Sequence, residues 1–199
     1  MTFLASMIEV PDSLFFEKAR EVYQAGIRAF HLDVADGHYV DRLLDVKHRM
    51  RILKSIDHTI RIHTHLMVME PMDFLYDYRF SNRIYLPSPS QSCIFKLIEM
   101  GIEPGIVVPL DSVVQPSKDL SYLVMGVPLG KGGQTFSHSS IETIKMLNGQ
   151  VHSIELDGGI THDILSLGKD AGAEYFAGWS IIKDDIQIEV NRVRKTLSS

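Results

Sequence analysis

Short apolar runs alternate with stretches of three- and four-residue apolar spacing from one end of the chain to the other. The runs are Phe3–Ile8, Ala29–Ala35, Ile60–Val68, Arg83–Pro87, Gly105–Leu110, Tyr122–Val127, His152–Leu156 and Glu174–Gly178, and each reads as a β-strand. Between them, Leu14, Phe15, Val22 and Ala25 mark one helical face, and Ile94, Leu97 and Ile98 another. Ser139-Ser140-Ile141-Glu142 has the form of a capping box that opens a helix through Ile141, Ile144 and Leu147, with Gly149 closing it. Gly26, Gly101 and Gly172 stand where other helices are expected to stop.

Eight strands, each followed by a connection that is usually helical, predict a single-domain (β/α)8 barrel over residues 1–199. An open doubly wound sheet with the same alternation is the alternative. Two connections are cramped: Glu70–Asn82 leaves little room for a helix, and Asp111–Ser121 contains Pro116. The helices after the third and fifth strands are therefore expected to be abridged.

Composition narrows the setting. The 199 residues are 45% hydrophobic, enough to bury one core. A formal charge of −5 argues against nucleic acid as a partner. Arg192, Arg194 and Lys195 read as a solvated helix end beside the negative pole of its dipole. No apolar run reaches the roughly 18 residues of a membrane span, and the N-terminus lacks a signal-like pattern. The one cysteine, Cys93, is expected to be a structural thiol, so the reading is a cytoplasmic, reducing environment. Phe15, Phe16, Tyr76 and Tyr78 are assigned to the core, with a homo-oligomer interface as their other use.

Candidate chemistry collects at strand ends. His31 and Asp33 share a face of the second strand, and His63 and His65 a face of the third; Asp157 ends the seventh. In a barrel these ends meet at one rim. Two imidazoles and two carboxylates (His31, Asp33, His65 and Asp157) suit one divalent metal ion, with Zn, Mn, Fe(II) and Co all compatible. A lone strand histidine is usually structural; the coincidence at three strand ends points to a site. Asp36 and His38 lie beyond the strand, where turn roles are expected. Glycines form a second feature: Gly130-Lys131-Gly132-Gly133 follows the sixth strand, Gly158-Gly159 the seventh and Gly178 the eighth. Such loops let backbone N–H groups approach a phosphate.

The segments His31-Leu32-Asp33-Val34-Ala35-Asp36-Gly37-His38-Tyr39-Val40, His65-Leu66-Met67-Val68, Gly130-Lys131-Gly132-Gly133-Gln134-Thr135-Phe136 and Glu155-Leu156-Asp157-Gly158-Gly159 resemble, in order, the signatures of ribulose-phosphate 3-epimerases. The resemblance implies interconversion of ribulose 5-phosphate and xylulose 5-phosphate through a cis-enediolate, with a divalent metal on His31, Asp33, His65 and Asp157. It implies Asp33 and Asp157 as the acid/base pair, and Ser6, Met67 and Met125 against the substrate. Gly130, Lys131, Gly132, Gly133, Gly158, Gly159, Gly178 and Trp179 fall on the phosphate loops. A small-molecule sugar phosphate is thus the expected partner. The related orotidine decarboxylases carry a lysine between two strand-end aspartates; Asp33-Val34-Ala35-Asp36 has none.

The chain also departs from the family pattern. Ala35 stands in place of a methionine, Asp41-Arg42 of Pro-Asn, His63 of an aspartate, Pro87 of a histidine, Lys131 of an aromatic residue and Trp179 of a serine. These changes leave open a related substrate such as allulose 6-phosphate, another sugar-phosphate isomerisation, or a barrel that binds a sugar phosphate without catalysis.

Overall fold

In a computed structural model, residues 1–129 and 134–198 are described. The expected alternation is present as β1 (Thr2–Ser6), α1 (Asp12–Ala25), β2 (Ala29–Asp36), β3 (Leu43–Leu44), α2 (Lys47–Ile56), β4 (Arg61–Met67), β5 (Arg83–Leu86), α3 (Gln91–Glu99), β6 (Glu103–Val108), β7 (Ser121–Met125), α4 (Ser139–Leu147), β8 (Ser153–Asp157), α5 (His162–Ala171), β9 (Tyr175–Gly178) and α6 (Ile186–Ser198). The order β1-β9-β8-β7-β6-β5-β4-β2 closes on itself through a β1–β2 pairing, and all eight strands run parallel. This is a (β/α)8 barrel rather than an open sheet. The two-residue β3, which the apolar pattern did not predict, pairs antiparallel with the end of β2.

The abridged connections are where they were expected. After β4 there is only a 3-10 turn, Pro71–Asp73, and after β6 no helix forms among the described residues. Elsewhere the helices lay one apolar face on the barrel wall. Phe15, Val22, Leu53, Leu97, Ile144, Leu165 and Val190 are buried in this layer, each stabilising the fold by about 1.5–3 kcal/mol before chain entropy is counted. Ser90 and Thr161 cap α3 and α5 by accepting the amides of Cys93 and Ile164. Gly26 ends α1 with φ 103°, a left-handed geometry that a side chain resists.

Several local expectations are corrected. Leu14 and Ile98 face outward, as do Phe16 and Tyr76, while Phe15 and Tyr78 are core. Phe16 and Tyr76 instead lie under Arg20 and Arg79. The capping box is not formed: His138 precedes α4, and the Ser140 hydroxyl turns inward to donate to the Met125 carbonyl at 2.7 Å. Glu142 pairs with Lys145. β6 starts at Glu103, two residues before the apolar run, because Glu103 and Pro104 lack strand propensity but fit the register opposite Arg83 and Ile84. Cys93 is buried.

The register places the chemistry. β2 and β4 pair over seven positions, setting His31 beside His63 and Asp33 beside His65. Arg49 of α2 then ties down the loop after β1, donating to the carbonyls of Met7 and Val10 and to Asp12.

Candidate metal centre

His31, Asp33, His65 and Asp157 each offer one ligand atom, and these atoms lie within 4.8 Å of one another. They come from β2, β4 and β8, so only barrel closure brings them together. His31 Nε2 is 3.5 Å from Asp33 Oδ1 and 4.0 Å from Asp157 Oδ2, and His65 Nδ1 is 3.3 Å from Asp33 Oδ1. All four side chains are nearly or fully buried.

The donor set fits a cation. His31 Nε2 and both ring nitrogens of His65 are buried with no hydrogen-bond partner, a costly arrangement for polar atoms. Burial opposes a charge on His31, yet the negative charges of Asp33 and Asp157 outweigh it and push its pKa well up. The cluster thus draws in positive charge. Burial lowers the His65 pKa, keeping that imidazole neutral, the form that binds a metal.

The two carboxylates are driven apart. Burial raises Asp157, reinforced by the charges of Asp33 and Glu155 and only partly offset by His31. Burial also acts on Asp33, but His31 and His65 outweigh it and hold it well below the ordinary range. Oppositely shifted carboxyls are what a proton donor and a proton acceptor require.

Above the cluster is a cavity of about 180 Å³ lined by Ser6, Asp33, His65, Met67, Met125 and Asp157 together with Gly158, Gly159, Gly178 and Trp179. His31 does not line it and stands behind. Ser6 Oγ donates to Asp33 Oδ2 at 3.2 Å. Gly158 and Gly159 have φ of 90° and 68°, so this turn presents its amides in a way that other residues resist. Gly130, Lys131, Gly132 and Gly133 lie outside the described residues; Gln134, just after them, lines the cavity. A larger hollow of about 730 Å³ at the opposite end, against Gly26, Arg28 and Arg194, is lined by no carboxylate or imidazole among the described residues.

Of the departures from the family pattern, Arg42 and Trp179 line the cavity. Ala35 faces a separate hollow, and neither Asp41 nor Pro87 reaches the site cavity. His63 points into the barrel, where its Nδ1 meets Glu155 Oε2 at 2.5 Å. Asp36 accepts the amides of His38, Tyr39 and Met69, the turn role expected of it. Sequence reasoning missed Glu155, which contacts His31, and Lys183, which lines the cavity. Alternation along β8 does put Glu155 on the inward face with Asp157, the one signal that could have found it.

The fold is a (β/α)8 barrel with a cluster of candidate metal ligands at the C-terminal ends of its strands. The model of the ribulose-phosphate 3 epimerase family matches residues 5–182. The chain belongs to that family. The ribulose-phosphate 3-epimerase of Methanocaldococcus jannaschii is 26% identical over 211 residues, covering 96% of this chain and 88% of the relative. That of Treponema pallidum is 30% identical over 172 residues, with 78% of each chain covered. Among solved structures, the 3-hexulose-6-phosphate synthase of Salmonella typhimurium superposes with a TM-score of 0.71 at 12% identity, over 100% of this chain and 99% of that one, a likeness of fold alone. No helix among the described residues is long and apolar enough to cross a membrane.

Proposed function

We propose that residues 1–199 act as one barrel domain that epimerises C3 of a ketose phosphate, taking ribulose 5-phosphate to xylulose 5-phosphate and back. The observation that carries this reading is the pairing of Asp33 and Asp157, two buried carboxyls that line one cavity beside His31 and His65. Family membership supports it, and so do the family names of the relatives.

Inverting C3 requires taking a proton from one face and returning one to the other. Asp33 and Asp157 are the two proton carriers, one ionised and one protonated, exchanging roles at each turnover. A divalent ion held by His31, Asp33, His65 and Asp157 would supply Lewis acidity toward the oxygens beside the reacting carbon. Met67 and Met125 cover that carbon with apolar surface and keep water from delivering protons at random. The backbone of Gly158, Gly159, Gly178 and Trp179, with the preceding loop from Gly130 to Gly133, receives the phosphate. Most of the family departures stay out of the cavity, which favours the pentose phosphate over allulose 6-phosphate.

The test is solvent deuterium exchange at C3 with added Zn, Mn, Fe(II) or Co. Rapid exchange into ribulose 5-phosphate is expected. Faster exchange into allulose 6-phosphate would replace the substrate and keep the chemistry, and no exchange into any ketose phosphate would overturn the epimerase reading.

A further inference from the structure

Inside the barrel, behind the four-residue cluster, lies a column of buried polar side chains where aliphatic layers are the norm. Its centre is Glu155, fully buried. Its Oε1 meets His31 Nδ1 at 2.7 Å, and its Oε2 meets His63 Nδ1 at 2.5 Å and the Tyr85 hydroxyl at 2.9 Å. Arg83 donates to the Tyr85 hydroxyl at 2.8 Å, and its other end pairs with Glu103 at 2.6 Å. Gly105 opposes Tyr85 across the β5–β6 ladder, and a side chain there would occupy the ring's space.

We propose that Glu155, held in place by His63, Tyr85 and Arg83, is a positioning residue that fixes the ring orientation and tautomer of His31 for metal binding. The inference rests on the metal reading above. A carboxylate at Nδ1 accepts a hydrogen bond from that N–H, which keeps Nδ1 protonated and leaves Nε2 as the nitrogen open to a metal. Nε2 faces Asp33 and Asp157, where it is buried without a partner. A histidine free to turn would lose both the tautomer and the aim. Glu155 in turn needs fixing, because one carboxylate serves two imidazoles. Tyr85 supplies a third hydrogen bond on Oε2, leaving Oε1 to His31, and Arg83 anchors Tyr85 from below.

Cobalt(II) binding tests this without turnover, since affinity follows from chelator competition and the visible spectrum reports ligand geometry. Glu155→Gln keeps the volume and removes the obligate acceptor. It is expected to weaken cobalt(II) binding about 10- to 100-fold and to change the spectrum, with the metal-free protein still unfolding cooperatively. Tyr85→Phe removes the hydroxyl's hydrogen bonds to Glu155 and from Arg83 and leaves the ring, and is expected to weaken binding about two- to tenfold; it carries the test if Glu155→Gln does not fold. Wild-type affinity and spectrum in a folded Glu155→Gln or in Tyr85→Phe would overturn the positioning role and leave the metal site standing. Failure of the wild-type chain to bind cobalt(II), zinc or manganese would overturn the metal reading, and the inference with it.

Discussion

Gly105 on β6 leaves the space that the ring of Tyr85 on β5 fills: the two are register partners, and a Cβ on Gly105 would lie within the ring's van der Waals surface. Gly105 is not among the positive-φ glycines, so its small size and not its backbone freedom is what the fold uses. Gly105→Ala is expected to destabilise by about 1–3 kcal/mol through overpacking. For a chain of this length each kcal/mol lowers the melting temperature by about 2–4 °C. An unchanged melting curve would show that the column behind the site is loosely packed.

Asp33 and Asp157 should be equally indispensable to turnover. Asp33→Asn and Asp157→Asn are each expected to lower kcat at least about a thousandfold, measured as epimerisation of ribulose 5-phosphate with metal present. A variant that keeps a tenth of the activity would remove that residue from the acid/base pair.

Metal should stabilise the fold. At a free concentration of about 100 times its dissociation constant, a bound ion adds about 2.7 kcal/mol, so the melting temperature should rise on adding manganese, cobalt(II) or zinc and fall again with a chelator. His65→Gln should abolish most of that rise, and a full rise in the variant would exclude His65 as a ligand.

The Arg83–Glu103 pair sets a pH dependence. Burial opposes the Glu103 charge, but Arg83 outweighs it and lowers the pKa of Glu103 below its ordinary value of 4.5. A carboxyl with a lowered native pKa gives stability that is complete above its unfolded value and lost as pH falls through the native one. Glu103→Gln should therefore be less stable than wild type at pH 7, by about 2 kcal/mol, with the gap closing below pH 4.5. Urea unfolding at a series of pH values reads this directly, and a gap that widens in acid would reverse the assignment.

Most of the wall was legible in the chain, because buried strands must be apolar and glycine must end a helix such as α1. Pro104 hid the start of β6, since its fit opposite Ile84 is tertiary. Ser139 was misread as a cap because α4 already includes it and its hydroxyl pairs with Ser137. His31, Asp33, His65 and Asp157 could be picked out from alternation and strand-end position. Alternation places Glu155 inward with Asp157 but gives no role, since an inward carboxylate announces no partner until the barrel closes and brings His31 and His63 against it. His63 and Ala35, expected to alter the substrate's surroundings, instead belong to the barrel interior and to a separate hollow.

The barrel is sealed by two register pairs, Ala5 with Phe30 and Ser6 with His31. The staves that meet at this seam are β1 and β2, and β2 also carries His31 and Asp33. Fraying there parts Ser6 from Asp33 and leaves His31, Asp33 and His65 together on β2 and β4 while Asp157 on β8 moves away with β1 and β9. The weakest joint of the cylinder and its chemistry share one strand, so hydrogen exchange of the amides of β2 should slow when the metal is added, and breathing of the wall should set how fast the metal leaves.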